Sequence, residues 1–307
     1  MLDVKARILN TAHRHSIPAA SATGLVLALL LATGCSPSRY AVNHVMVPML
    51  GNARDAAFES NDIQTFRDAA PANLFLLEGM IRTDPDVVEL RLNAAMLYFS
   101  YAFAFIEESD TEYASLLYQR GFTHAFMALT RKNKKLPADS FEVSYDDFAA
   151  RLPDLRTEDV PAAVWAAINR AQYISLHLDS TEVLRDVPKV TALLERIIEL
   201  DAEFFEGMPY VTLGSLHAFK PPIMGGDPVA ADASFQRAFA FSGNSFLLSR
   251  YFYARFYAYR IQDVELFTQT LDEIITAELP ADDRYQLLNL IAKQKSTYLR
   301  EEADELF

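Results

Sequence analysis

The sequence predicts an all-α protein made of packed helical hairpins, and three observations point there. Its 307 residues include only 10 glycines, roughly half of the usual share of about 7%. Glycine is what tight β-turns and phosphate cradles need and what helix interiors avoid. No Asn-Gly or Asp-Gly pair separates alternating apolar runs, so the two-residue β-hairpin signal is missing. Apolar residues instead recur at helical spacing along most of the chain. With 51% hydrophobic and 22% charged residues, a sizeable core can be closed.

The N-terminus reads as an address. Lys5, Arg7 and Arg14 form a positive region ahead of an apolar run over residues 19–32, rich in leucine. That run is shorter than the roughly 20 residues a membrane helix needs and has the pattern of a secretory signal. It ends in Leu31-Ala32-Thr33-Gly34-Cys35, and Cys35 is the only cysteine. The pentapeptide resembles the lipobox of bacterial lipoproteins, which implies cleavage before Cys35 and acylation of its thiol and freed amine. Residues 1–34 are thus expected to be a signal peptide and residues 35–52 a lipidated tether. Two or three acyl chains would anchor the chain durably, at about 0.8 kcal/mol per buried methylene. Ser36 after the cysteine implies, by the same resemblance, export to the outer membrane. A single cysteine leaves no disulfide and no thiolate metal site.

Residues 53–307 are expected to form one helical domain. Asp84-Pro85 and Asp227-Pro228 each offer a capping carboxylate before a proline suited to a first helical position. Ala95 and Tyr98 are followed by Ala114, Tyr118 and Gly121, small and aromatic residues at the spacing where two helices of a tetratricopeptide hairpin cross. Residues 131–156, with Pro137 and Pro153, are the least helical and are expected to hold a long loop. Trp165 lies on a helix reading Val164-Trp-Ala-Ala-Ile168. Val190, Leu193, Leu194, Ile197 and Ile198 form an apolar face closing at Glu199-Leu200-Asp201. Leu213-Gly214 followed by Ala231, Phe235 and Ala238 makes a further hairpin, interrupted by a loop from Lys220 to Pro228. Residues 262–271 are a weaker repeat, and Leu288, Ile291, Ala292 and Leu299 line the last helix.

The formal net charge is −13, from 28 basic and 41 acidic residues. Lys5, Arg7, Arg14 and Asp3 precede Cys35, leaving 25 basic against 40 acidic residues and a net −15 beyond it. Such a surface repels nucleic-acid phosphates. The histidines form no His-x₃-His or His-Glu-x-x-His pair, and neither a Gly-x-Ser-x-Gly elbow nor a Gly-rich phosphate loop occurs. No metal, no cofactor and no enzymatic activity are therefore expected.

Two aromatic belts stand out: Tyr98, Phe99, Tyr101, Phe103 and Phe105, then Phe246 and Tyr251 through Tyr259. Consecutive aromatics project all around a helix, so some must face a cavity or an interface. Trp165 fits either an ordinary core position or the wall of a ligand passage. The loop carrying Pro221, Pro222, Gly225, Gly226 and Asp227 fits either a stiff crossover or a recognition element.

Over nearly its whole length beyond the signal the sequence resembles one family, the TRAP (tripartite ATP-independent periplasmic) transporter T-component. The resemblance rests on LLEGMIRTDPDVVELRLNAAMLYFSYAFAFIEE (residues 76–108), LYQRGFTHAFMAL (117–129) and Trp165. It continues through DVPKVTALLERIIELDAEFFEG (186–207), LGSLHAFKPPIMGGDPVAADASFQRAF (213–239), QDVELFTQTL (262–271) and LNLIAKQKSTYLREEADELF (288–307). It implies a tetratricopeptide-like solenoid closed around a central apolar pore and assembled as a homotrimer. It further implies a periplasmic, lipid-anchored accessory that docks the substrate-binding protein of its transporter and holds or passes a small hydrophobic ligand. Tyr98, Tyr101, Trp165, Tyr253 and Tyr257 are then candidates for the pore wall, and the 221–227 loop for its mouth. The rival expectation is a scaffold for envelope protein assembly that binds peptides in a polar groove. For the anchor, Cys35→Ser is expected to abolish labelling by an alkyne fatty acid, and mass spectrometry of the native protein should find acylated Cys35 as its first residue.

Overall fold

Side-chain caps set where the helices begin. The structure is a computed structural model and describes residues 37–219, 226–243, 245–280 and 283–307; the signal peptide, Cys35, Pro221, Pro222 and Gly225 lie outside these. The first helix, α1, runs through Pro37–Ala41, a π-helical turn Val42–Met46, and Val47–Phe58. Then follow α2 (Ile63–Thr83), α3 (Val88–Tyr101, prolonged by the π-turn Ala102–Ile106) and α4 (Thr111–Lys132). An irregular stretch holds the short α5 (Tyr145–Ala149) and two 3₁₀ turns, Leu152–Asp154 and Thr157–Asp159. Next come α6 (Val160–Ser175), the short α7 (Thr181–Leu184), α8 (Val187–Leu200), α9 (Phe204–Ala218) and α10 (Pro228–Ser242). The chain ends with α11 (Leu247–Phe252, continued by the π-turn Tyr253–Ala258), α12 (Val264–Thr276), α13 (Gln286–Glu301) and α14 (Ala303–Leu306). No strand occurs among the described residues.

Asp62, Asp110, Asp227 and Asp263 accept the backbone N–H groups of Thr65, Tyr113, Ala230 and Leu266 at 2.8–2.9 Å. Each places a carboxylate at the positive end of a helix dipole. Asp227-Pro228 is therefore the helix start expected from sequence. Asp84-Pro85 is not. Asp84 is instead the extended residue that ends α2, and Pro85 and Asp86 make a turn before α3 begins at Val88. Its carboxylate serves α1, accepting from Asn43 Nδ2 at 2.8 Å. Residues 37–52, expected as a tether, are helical in this structure. Pro48 lies near the start of the second α-helical part of α1, where its missing N–H is tolerated, directly after the π-turn.

Successive helices pack as hairpins, α2 on α3, α3 on α4, α4 on α6, α8 on α9 and α9 on α10, while α13 meets α11, α12, α1 and α2. The last long helix thus returns to the first. The apolar face read on α8 is buried at Val190, Leu193, Leu194 and Ile197, and that of α13 at Leu288, Ile291 and Ala292. No described helix is long and apolar enough to cross a membrane.

The small residues of the repeat pattern stand at the crossings. A Cβ on Gly214 would lie 2.9 Å from the Phe235 ring and 3.1 Å from the Ala231 carbonyl on α10; one on Gly121 would lie 2.0 Å from Asn169 Oδ1 on α6. Phe235, Ala231 and Asn169 are wholly buried and so have little room to yield. Gly214→Ala is accordingly expected to destabilise the fold by about 1–2 kcal/mol, overpacking outweighing the helix propensity gained, which urea unfolding would measure.

Candidate functional site

The structure distributes the five aromatic candidates over several environments. On α3, Tyr98 is buried; its hydroxyl donates to Glu78 Oε1 at 2.8 Å and its ring stacks on His124 at 5.7 Å. Burial and the neighbouring Glu78 carboxylate push its phenol up to about 12. Tyr101, half-buried, packs against Phe105. Trp165 is 4% exposed and packs between Phe99 at 5.7 Å and Phe205 at 5.6 Å. Tyr253 donates to Asp232 Oδ1 at 3.1 Å and sits against Phe235 and Phe239, with the half-buried Tyr257 stacked on it at 4.9 Å. Burial and the Asp232 carboxylate raise the Tyr253 phenol as well.

The two belts meet each other. Phe103, on the π-turn of α3, stacks on Phe252 at 5.3 Å and edges onto Tyr251 at 5.8 Å. From Phe99 a column of rings continues through Trp165 and Phe205 to Phe246 and Tyr285. Phe205 joins it through an unusual backbone. Phe205, Glu206 and Gly207 have φ of 50°, 57° and 78°, three successive left-handed residues inside α9. Left-handed backbone costs a non-glycine residue roughly 1–2 kcal/mol, and such strain gathers where a side chain must be aimed. Glu206 is held by an ion pair with Arg284.

Beside the column lies a buried ion cluster that the sequence reading missed. Glu107, just past the π-turn of α3, accepts from Arg255 on α11 and from the buried Tyr118 hydroxyl on α4. Lys295 on α13 is 3% exposed at its side chain, pairs with Glu108, and donates to the Phe103 carbonyl at 2.7 Å. Burial alone would raise the Glu107 carboxyl; Arg255 and Lys295 overcome it and hold it below the usual carboxylate range. Adjacent acids such as Glu107 and Glu108 look divergent in a sequence, and only the return of α11 and α13 supplies the cations.

Among the described residues, two of the surface clefts carry several aromatic or aliphatic side chains. The larger, about 950 Å³, opens between α4, the irregular stretch, α6 and α8 over Phe122, Phe126 and Phe141. Arg170 spans it, its guanidinium 5.3 Å from the Phe122 ring and paired with Asp186, while Lys189 donates to the Phe141 carbonyl at 2.7 Å. Arg170 and Lys189 are thus engaged, and the lining mixes aromatic faces with polar side chains such as Thr123, Glu142, Ser144 and Glu182. The second, about 340 Å³, lies between α1, α2 and α3. None of the five pore candidates lines either cleft. Phe122 and Phe126, four apart on α4, were the legible signal for the first. Of the loop residues, Gly226 and Asp227 are described: Asp227 caps α10 and its N–H donates to the His217 carbonyl at 3.0 Å. No group of three metal-ligating side chains gathers among the described residues.

The family model of the TRAP transporter T-component matches residues 59–307. The chain belongs to that family. No curated protein matches it at a significant level. The T-component assignment points to a transport role and to action alongside the other parts of such a transporter, and it covers every element from α2 to α14.

The ion cluster makes the T-component acid-sensitive in a definite direction. Glu107 is depressed in the folded chain, so its stabilisation is present above an unfolded value near 4.5 and lost as pH falls through the folded value. His124, lowered mainly by burial, adds a loss that begins below 6.5. Glu107→Ala should destabilise the fold by about 3–5 kcal/mol, since it strands buried cations, and should flatten the acid limb of a stability–pH profile.

Proposed function

We propose that this protein is the lipid-anchored periplasmic accessory of a TRAP transporter, docking the transporter's substrate-binding protein and holding or passing a small hydrophobic ligand. The family match over residues 59–307 carries the transport role. The rest of the reading draws on the lipobox ending at Cys35, which would hold the domain at the envelope by acyl chains in the outer membrane. It draws also on an interior unusually rich in contacting rings. A homotrimer and an apolar passage among Tyr98, Tyr101, Trp165, Tyr253 and Tyr257 belong to the same reading. What supports a closed arrangement is the way α13 brings the chain's end back against α1 and α2.

Docking would place a ligand released by the binding protein beside apolar surface, where leaving water is favourable by about 25 cal/mol per Å² buried. No reacting group is required of such a component, and its selectivity would lie in cavity shape. In a strain lacking this protein, substrate uptake by the cognate transporter is expected to fall severalfold and to return on complementation; uptake at the parental rate would sink the proposal.

A further inference from the structure

The cleft beneath α1 has features that a packing defect lacks. From α1 it is lined by Leu50, Ala53, Arg54, Ala56, Ala57 and Phe58, and three of these six side chains are single methyl groups. No residue of the Val47–Phe58 segment is fully buried. Opposite stand Phe66, Leu77 and Met96. Interiors normally close to crystal-like density, and about 340 Å³ left between three helices is within the range of small-molecule sites.

Polar groups enter this apolar space at a few points only. Ser100 is 8% exposed, lines the cleft, and its hydroxyl has no hydrogen-bond partner among the described residues. Asn73, an exposed residue of α2, also lines it. The Ser100 hydroxyl opens onto the cleft, where a ligand's polar group could meet it. The charged groups at the rim do not invite an anion. Arg54 is paired with Asp55 at 2.8 Å, and Asp62 is spent on capping α2.

We infer that the α1–α2–α3 cleft is a binding site for an uncharged aliphatic molecule carrying a single hydroxyl or carbonyl group, which would meet Ser100 and Asn73 while its hydrocarbon part lies along Ala53, Ala57, Phe66 and Leu77. At roughly 30 Å³ for each small non-hydrogen group, the cleft takes about a dozen such groups. That this molecule is cargo rests on the transport reading above. That it binds here does not. The site's outer wall is the helix that follows the expected anchor at Cys35, so the ligand would sit between the domain and the segment leading to the membrane.

The test uses the full-length lipoprotein in phospholipid nanodiscs with a diazirine-bearing dodecanol, the matching dodecanoic acid and the matching hydrocarbon. After photolysis, peptide mass spectrometry is expected to find dodecanol adducts within residues 50–58, 66–77 and 93–100, and weaker labelling by the acid. Ala53→Phe, at an exposed position where the ring can fill the cleft without disturbing the core, should abolish these adducts at an unchanged melting temperature. Ser100→Ala should weaken labelling by the alcohol while sparing the hydrocarbon. Adducts confined to other helices, adducts unchanged in Ala53→Phe, or a nanodisc phospholipid found cross-linked in the cleft in place of the probe would each overturn the assignment. Labelling here with normal uptake in the deletion strain would sink the transport reading and keep the site; lost uptake with labelling elsewhere would do the reverse.

Discussion

A buried carboxylate must be paid for by cations, and in this chain Glu107 receives Arg255 from 148 residues further along the sequence. Taking an ionised group out of water costs several kcal/mol unless partners and hydrogen bonds replace the solvent. Arg255, Tyr118 and the nearby Lys295 do so, each from a different helix. Two of the three described π-helical turns stand at this point. One carries Arg255, and the other exposes the Phe103 carbonyl that Lys295 uses. Because none of these partners can be withdrawn without stranding another charge, α3, α4, α11 and α13 are fixed relative to one another. The aromatic column beside them follows from that arrangement.

The hairpins themselves depend on smaller devices. Gly121 and Gly214 let helices approach until a methyl group would collide, and Asn289 ties the start of α11 to α13 by accepting from the Leu247 N–H at 2.8 Å and donating to the Ser245 carbonyl at 2.7 Å. The left-handed run at Phe205–Gly207 turns the chain into α9 while directing a ring at Trp165. Strain there is tolerated because Phe205 contacts four aromatic neighbours, Phe58, Trp165, Phe246 and Tyr285.

These rigid devices lie in the middle of the molecule, whereas the two clefts lie at its flanks, where the repeat pattern is interrupted. One sits beside the irregular stretch between α4 and α6, the other beneath α1, which precedes the family match at residue 59.

The sequence by itself determined the helical class, the capping aspartate of α10, the buried faces of α8 and α13, and the crossings at Gly121 and Gly214. All of these are local or nearest-neighbour properties, set by spacings of three, four and seven residues. It also carried the family resemblance, which the match over residues 59–307 bears out. Tertiary structure alone decided that Asp84 ends a helix and does not begin one, that Glu107 meets Arg255, and that the two aromatic belts pack against each other. It also decided that Tyr98, Trp165 and Tyr253 occupy separate neighbourhoods. The physical reason is one of range: periodicity reports which face of a helix is apolar, but not which distant helix covers it, and both the charge pairing and the cavities of this protein arise only where distant helices meet.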